Sequence, residues 1–413
     1  MKLAVTIPDG VRRIIDTLGS NDFEAYLVGG CVRDGLLGRE TNDWDITTNA
    51  KPDQVQGLFE KVILTGLQHG TVTVVLGDGH YEVTTYRIDV SYTDGRRPDE
   101  VQFTSALEDD LARRDFTVNA IAYDPRADRL CDPFGGQVDL RGRQIRAVGI
   151  PRDRLQEDGL RSFRAIRFAC SLNFEIERTL SDALANTHES VKKVSIERIY
   201  IEVRKTLMSK QAGRGLTLLY ESGLLSTGLP FLGPLKGSVV SRLAAVMDRI
   251  DTNWHSRFAA FIGLSDVKPD ELCKALKVPN QIQMAVRKIN SVLSWAVSQA
   301  RPDICALLAL VGRDYWRDGF ALRSIIQSED KPAIDAVVEI IEQNRLSNLP
   351  LYSRELAVSG HEIMDAVRIK PSKRVGLIMD TLLDSVWKGH VPNKKHELLV
   401  MSVAINSQMD AHT

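Results

Sequence analysis

Two aspartates one residue apart, Asp43 and Asp45 on either side of Trp44, are the sharpest chemical feature of this sequence. On a β-strand, positions i and i+2 face the same way, so the two carboxylates would lie side by side. Charges that close repel unless a cation neutralises them, and Mg²⁺ favours hard oxygen ligands of this kind together with substrate phosphates. A D-x-D pair alone is as readily a surface turn, so its setting matters. Just upstream runs Gly29-Gly30-Cys31-Val32-Arg33-Asp34, directly after the apolar Tyr26-Leu27-Val28. Paired glycines let a backbone approach phosphates, and a helix beginning there offers free N–H groups. Arg33 can add a charge-assisted contact to phosphate. The pattern is neither a Walker loop nor G-x-G-x-x-G, which excludes kinase, ATPase and dinucleotide readings at this position.

Glu82 could supply a third carboxylate, or could simply face water from an edge strand. With two metal ions, one would lower the pKa of an attacking hydroxyl while the other holds a triphosphate and the departing pyrophosphate.

The elements that must carry these residues lie mainly in the first ~140 positions, an α+β region of modest size. Thr71-Val72-Thr73-Val74-Val75-Leu76 and Tyr81-Glu82-Val83-Thr84-Thr85-Tyr86 are β-branched or aromatic runs around a Gly77-Asp78-Gly79 turn, and they read as a hairpin. Segments 11–18 and 52–59 read as helices. After about Pro151 the texture becomes amphipathic helix almost throughout, with examples at 155–172, 195–208, 239–250, 281–300 and 361–367.

Several motifs then follow one another in a fixed order. Gly29 to Asp34, Leu36-Leu37-Gly38-Arg39 and Asp43-Trp44-Asp45 together resemble motif A of the class II tRNA nucleotidyltransferases (CCA-adding enzymes) and their bacterial poly(A) polymerase relatives. Arg113-Arg114-Asp115-Phe116-Thr117-Val118-Asn119-Ala120 resembles motif B. Asp132-Pro133-Phe134-Gly135-Gly136-Gln137-Val138-Asp139-Leu140 resembles motif C, a head–neck connector. Glu157-Asp158-Gly159-Leu160-Arg161 resembles motif D, and Ser195-Ile196-Glu197-Arg198 leading into Glu202 resembles the neck-stabilising motif E. The matches span roughly residues 23–210.

This resemblance implies a polymerase-β-like nucleotidyltransferase head followed by helical neck, body and tail domains, expected at 1–145, 146–215, 216–330 and 331–413. It also implies that Asp43 and Asp45, with Glu82, are catalytic and that the first two bind metal. Gly29, Gly30 and Arg33 would cradle the triphosphate, while Arg114, Asp115 and Asn119 would hold the sugar and phosphates. Asp158 and Arg161 would read the base, joined by Arg164.

The base-reading role has a chemical basis. Spaced i, i+3 on an expected helix, Asp158 and Arg161 share one face, where they could equally be an ordinary ion pair. Cytosine and adenine each present an amine donor beside a ring-nitrogen acceptor, which a carboxylate and a guanidinium match. Uracil and guanine present the reverse polarity and would leave buried groups unpaired, at a cost of about 1–3 kcal/mol each.

Among the activities that share these motifs, Gln68-His69-Gly70-Thr71-Val72 resembles the H-G-T-V run of CCA-adding members. The stretch 88–110, with Asp94-Gly95-Arg96-Arg97-Pro98, resembles a full-length flexible loop, which CC-only members shorten. The expectation is therefore addition of CCA to a tRNA 3′ end from CTP and ATP with Mg²⁺. A-only addition, poly(A) synthesis and a non-catalytic RNA-binding protein on the same scaffold are the alternatives.

Bulk properties fit this expectation without carrying it. The net charge of −1 does not advertise a polyanion partner. Residues 141–214, however, hold 16 Lys and Arg against 9 Asp and Glu, a local excess that could face RNA or merely solvent. In the tail, Lys370, Lys373, Arg374, Lys394 and Lys395 could contact tRNA phosphates. The five cysteines are scattered with no C-x-x-C pair, and no apolar signal segment opens the chain, so the expected setting is the reducing cytoplasm.

Overall fold

The computed structural model describes residues 1–89, 101–251, 253–265 and 267–411. By internal contacts the chain forms two compact units, Met1–Asp248 with Ala275–Lys277, and Arg249–Lys274 with Val278–Thr413. The α+β head followed by helices is the architecture expected from the sequence.

The first unit is built around a seven-stranded sheet. Its strands are β1 (Ala25–Val28), β2 (Asp45–Thr48), β3 (Val62–Gly66), β4 (Thr71–Leu76), β5 (Gly79–Thr85), β8 (Ala122–Asp124) and β9 (Arg129–Cys131). They lie in the order β3-β4-β5-β2-β1-β8-β9, and β6 (Arg87–Asp89) pairs separately with β7 (Val101–Phe103). Only β2 and β5 run parallel within the large sheet. The β4–β5 hairpin forms where the sequence predicts it, and the Asp78 carboxylate in its turn accepts from the Gly10 N–H and the Tyr81 hydroxyl.

The register of two strands matters most for function. β1 and β2 are antiparallel with Val28 opposite Asp45, so the end of one strand meets the start of the other. Gly29 and Gly30, which leave β1, are thereby set beside Asp45, which opens β2. Against this end of the sheet lies an apolar cluster of Val28, Leu111, Ala120, Ala122 and Val148.

Flanking helices are α1 (Asp9–Ser20), α2 (Gly30–Leu36), α3 (Pro52–Leu58), α4 (Leu107–Ala112) and α5 (Gly136–Gly142). α1 is amphipathic and buries Val11, Ile14, Ile15 and Leu18. Beyond a short parallel pair, β10 (Gln144–Ile145) with β11 (Glu175–Ile176), the unit continues as α6 (Pro151–Glu157), α7 (Leu160–Leu172), α8 (Arg178–Leu184), α9 (His188–Lys192) and α10 (Ile196–Leu207).

Two helix expectations change here. The segment 281–300 is helical only over Asn280–Leu293. The segment 155–172 is not one helix but two, broken at Asp158-Gly159, where Asp158 leaves α6 with extended backbone. Gly159, helical in its own backbone, has no room for a side chain: a Cβ would sit 2.5 Å from the Ser190 carbonyl and 2.6 Å from the Val191 nitrogen.

The second unit is helical and holds two apolar cores. One centres on Val292, Leu308, Trp316, Phe320 and Val337, the other on Ile363, Ile378, Leu382 and Leu398. Trp254 and Trp316 are buried packing residues, and Trp254 stacks on Phe258 with centroids 4.7 Å apart. Among the described residues no helix is long and apolar enough to cross a membrane.

Candidate active site

A cavity of about 500 Å³ opens in the first unit where the sheet end meets α2 and α7. Its wall includes Gly29, Gly30, Arg33, Asp43, Asp45, Arg114, Asp115, Asn119, Asp158, Arg161 and Arg164, eleven of the twelve residues singled out from the sequence. The twelfth, Glu82, is exposed on β5 and is not part of the wall. Five further lining residues were not singled out: Arg113, Leu160, Arg167, Phe168 and Arg198. A helical signal was available for two of them, since Arg167 and Phe168 follow Arg164 at i+3 and i+4 and so share its face.

Gly29 is required by its backbone and by its neighbours. Its φ of +76° lies in the left-handed region that glycine favours, and a Cβ would meet Arg114 Nη1 at 3.2 Å and Asp45 Oδ2 at 3.5 Å. Next to it, burial and the Asp45 charge push the Cys31 thiol up to about 12, so this cysteine packs and is no nucleophile at neutral pH.

Asp45 is half-buried, whereas Asp43 is exposed just before β2 begins. Burial, then the neighbouring charge of Asp43, push the Asp45 carboxyl up to about 6; Arg114 opposes the shift and Glu82 adds to it. This is a site with unrelieved negative potential, which a divalent cation would relieve. Among the described residues no group of three or more potential ligands gathers around one point. Two carboxylates, with the remaining positions taken by substrate oxygens and water, suit a small hard cation.

Opposite the carboxylates is a continuous polar network. Arg33 is bonded to Asp34 through Nε (3.0 Å) and Nη2 (2.7 Å), and its Nη1 donates to Asn119 Oδ1 at 2.6 Å. Asn119 Nδ2 donates to Asp115 Oδ1 at 3.0 Å, and Asp115 Oδ2 accepts from Arg164 Nε at 2.7 Å. Burial would raise the Asp115 carboxyl, but the Arg164 charge and the Asn119 and Arg164 hydrogen bonds outweigh it and hold it well below the usual carboxylate range. It is a permanent anion that fixes its neighbours.

Asp158 and Arg161 both reach the cavity, and the Arg161 N–H donates to the Asp158 carbonyl at 3.0 Å, but their side chains take other partners. Asp158 accepts from Arg198 through Nη2 (2.7 Å) and Nη1 (3.3 Å) and from the Leu160 N–H (3.0 Å). Arg161 donates to the Arg154 and Arg113 carbonyls and is ion-paired with Glu157. The helix break separates them, so the ordinary i, i+3 ion pair does not form.

The wall thus carries seven arginines against four aspartates, and no lysine. Guanidinium groups stay charged and present planar forks, which suits a polyphosphate.

Models of known families match in the same order along the chain: the poly A polymerase head domain over 25–146, the RNA and SrmB-binding site of polymerase A over 173–235, and tRNA nucleotidyltransferase domain 2 over 249–401. The CCA-adding enzyme of Lactobacillus delbrueckii subsp. bulgaricus (strain ATCC 11842) is 37% identical over 385 residues, covering 92% of this chain and 94% of that protein. The CCA-adding enzyme of Streptococcus suis (strain 05ZYH33) is 33% identical over 391 residues, covering 94% of each. The chain belongs to the CCA-adding enzyme family.

Solved structures agree with the assignment. The Bacillus stearothermophilus CCA-adding enzyme in complex with CTP superposes with a TM-score of 0.82 at 30% identity, covering 98% of this chain and all of that one. The Thermotoga maritima CCA-adding enzyme complexed with tRNA, at 19% identity and a TM-score of 0.69, shares the fold. A member of this nucleotidyltransferase family is an enzyme that depends on divalent metal.

Proposed function

We propose that this chain completes the 3′ end of tRNA by adding C, C and A from CTP and ATP without a nucleic-acid template. The observation that carries the reading is the cavity itself, which brings a carboxylate pair, an arginine-rich wall and the Asp158–Arg161 motif around one space of nucleotide size. The family membership and the CTP- and tRNA-bound relatives support it.

In this reading Asp43 and Asp45 hold Mg²⁺, with Glu82 acting on Asp45 as the third carboxylate through its charge. When bound, the metal lowers the pKa of the attacking 3′-hydroxyl and stabilises the departing pyrophosphate. Gly29 and Gly30 let the triphosphate approach the backbone, and Arg33 and Arg114 balance its charge. Asp115 and Asn119 orient Arg33 and Arg164 through the network described above. Asp158 accepts from the exocyclic amine of cytosine or adenine, and Arg161 donates to the adjacent ring nitrogen. Asp158 already accepts three hydrogen bonds, which leaves one of its roughly four lone-pair directions for the base.

The working division remains a head at 1–145, a neck at 146–215, a body at 216–330 and a tail at 331–413. Confinement of the large sheet to residues before 145 supports the head, whereas one apolar core runs from Val292 to Leu351 across the body–tail boundary, and the compact units divide after Asp248. Tail contacts to tRNA fall best on Lys370, Lys373 and Lys394, because Arg374 is ion-paired with Asp410 and Lys395 with Glu362. A cytoplasmic setting fits five free cysteines. The loop residues Asp94 to Pro98, part of the stretch that resembles a full-length flexible loop, lie outside the described residues.

The test uses transcripts ending before CCA, after C and after CC, incubated with single nucleotides and with CTP plus ATP. Completion of all three by only the missing nucleotides is expected, weakening as salt displaces tRNA. Extension of the CC end alone would make this an A-adding enzyme, and long A tails a poly(A) polymerase. No extension would leave an RNA-binding protein.

A further inference from the structure

Phe168 is the one aromatic ring in the cavity wall, and three guanidinium groups of that wall gather on it. The Cζ atoms of Arg167, Arg33 and Arg164 lie 3.8, 5.0 and 5.3 Å from its ring centroid. The ring is held from behind by Phe116, edge to face, with centroids 5.8 Å apart. Both rings are buried.

Arg33 comes from α2, Arg164 and Arg167 from one face of α7, and each is ion-paired. Arg33 is anchored by Asp34 and Asn119, Arg164 by Asp115 and, at 3.9 Å, by Glu202, and Arg167 by the same Glu202. Even with these acids around them, three cations crowded together repel. The negative face of an aromatic ring attracts guanidinium groups within about 6 Å and offsets that repulsion without adding a carboxylate. A fourth acid would offset it too, but would also repel an anionic ligand.

We propose that Phe168 is a positioning residue, whose ring face holds Arg33, Arg164 and Arg167 together as a binding surface for the nucleotide's phosphates. This gives Arg164 a phosphate role in place of the base-reading one expected from the sequence. Phe168 itself touches no reacting atom. The proposal rests on the nucleotide-binding reading of this cavity and adds to it the group that sets the spacing of its cations.

The test separates ring electrostatics from packing. Phe168 is replaced by mono-, di- and trifluorinated phenylalanine, which keep nearly the same shape while the ring face becomes progressively less negative. Tripolyphosphate binding is followed by calorimetry in the full chain, alongside KM and kcat for ATP on a CC-ended transcript. The expected result is a stepwise weakening with each fluorine, reaching roughly tenfold in both Kd and KM, with kcat and Tm nearly unchanged. Phe168→Leu should weaken both at least as much.

A flat fluorine series overturns the proposal, even where Phe168→Leu binds poorly, because packing alone then accounts for the ring. Wild-type chain that extends the transcript while its fluorinated forms bind unchanged sinks only the role of Phe168. Wild-type chain that neither binds tripolyphosphate nor extends RNA sinks the nucleotide reading and this proposal with it.

Discussion

Asp158 is clasped by Arg198, through hydrogen bonds of 2.7 and 3.3 Å to its two carboxylate oxygens, and not by Arg161 three residues on. A two-point clasp from a planar fork fixes the rotation of the carboxylate as well as its charge. That orientation is what a base-reading acceptor needs. Arg198→Lys keeps the charge and loses the second point. We expect it to narrow the preference of kcat/KM for ATP over GTP by roughly tenfold, about the worth of one well-placed hydrogen bond. Single-nucleotide extension of a CC-ended transcript measures it, and an unchanged ratio would show that Arg198 does not orient Asp158.

The carboxylate pair gives a second prediction. Asp43→Asn and Asp45→Asn should each lower nucleotide transfer by at least about 1,000-fold, roughly 4 kcal/mol of barrier. In chelator, Asp45→Asn should melt no lower than the wild type, because it removes a half-buried charge beside a second one. Wild-type transfer should stop on chelation and return with Mg²⁺. Activity that persists in chelator would contradict the metal assignment.

Asp115 predicts a pH effect of defined sign. Its carboxyl is depressed in the folded chain: burial opposes this, but Arg164 and Asn119 prevail. A depressed folded value means the stabilisation is fully present above the unfolded value of about 3.9 and drains away as pH falls through the folded value. Asp115→Asn should therefore melt well below the wild type at pH 7, and the gap should narrow below about pH 4. Melting curves at pH 7, 5 and 3.5 check it. A gap that is constant with pH would mean the carboxylate charge contributes nothing.

Gly159 stands at the helix break with no room for a Cβ against the Ser190–Val191 backbone. Gly159→Ala should destabilise the chain by about 1–3 kcal/mol. It should also displace Asp158 next to it, lowering kcat/KM for CTP and ATP together. Thermal melting and both kinetic constants are the readouts, and wild-type values for all of them would mean the neighbouring helix yields freely.

The sequence by itself determined the chemistry and its order along the chain. The Gly29-Gly30 turn, the β4–β5 hairpin and α1 were legible because each depends on neighbours within a few residues: a period of two, a period of 3.6, or a backbone only glycine tolerates. Asp43 and Asp45 were legible as a motif, but Asp43 lies outside β2, so the strand period expected to align them does not apply. The cavity wall was legible for the same reason, since motifs of a few residues carry both the turn and the reactive group.

Partnerships across the chain were not legible. Pairing of Asp158 with Arg198 rather than Arg161 goes with a helix break at Asp158, whose backbone is extended. The distance of Glu82 from the cavity wall depends on β5 pairing with β2 in one register. The gathering of Arg33, Arg164 and Arg167 on Phe168 joins α2 to α7 across the packed interior of the unit. Local sequence sets which groups are available and which way the nearby backbone turns. Only tertiary packing decides which charges meet, because ion pairs and ring contacts act over a few ångströms between residues that the chain alone leaves far apart.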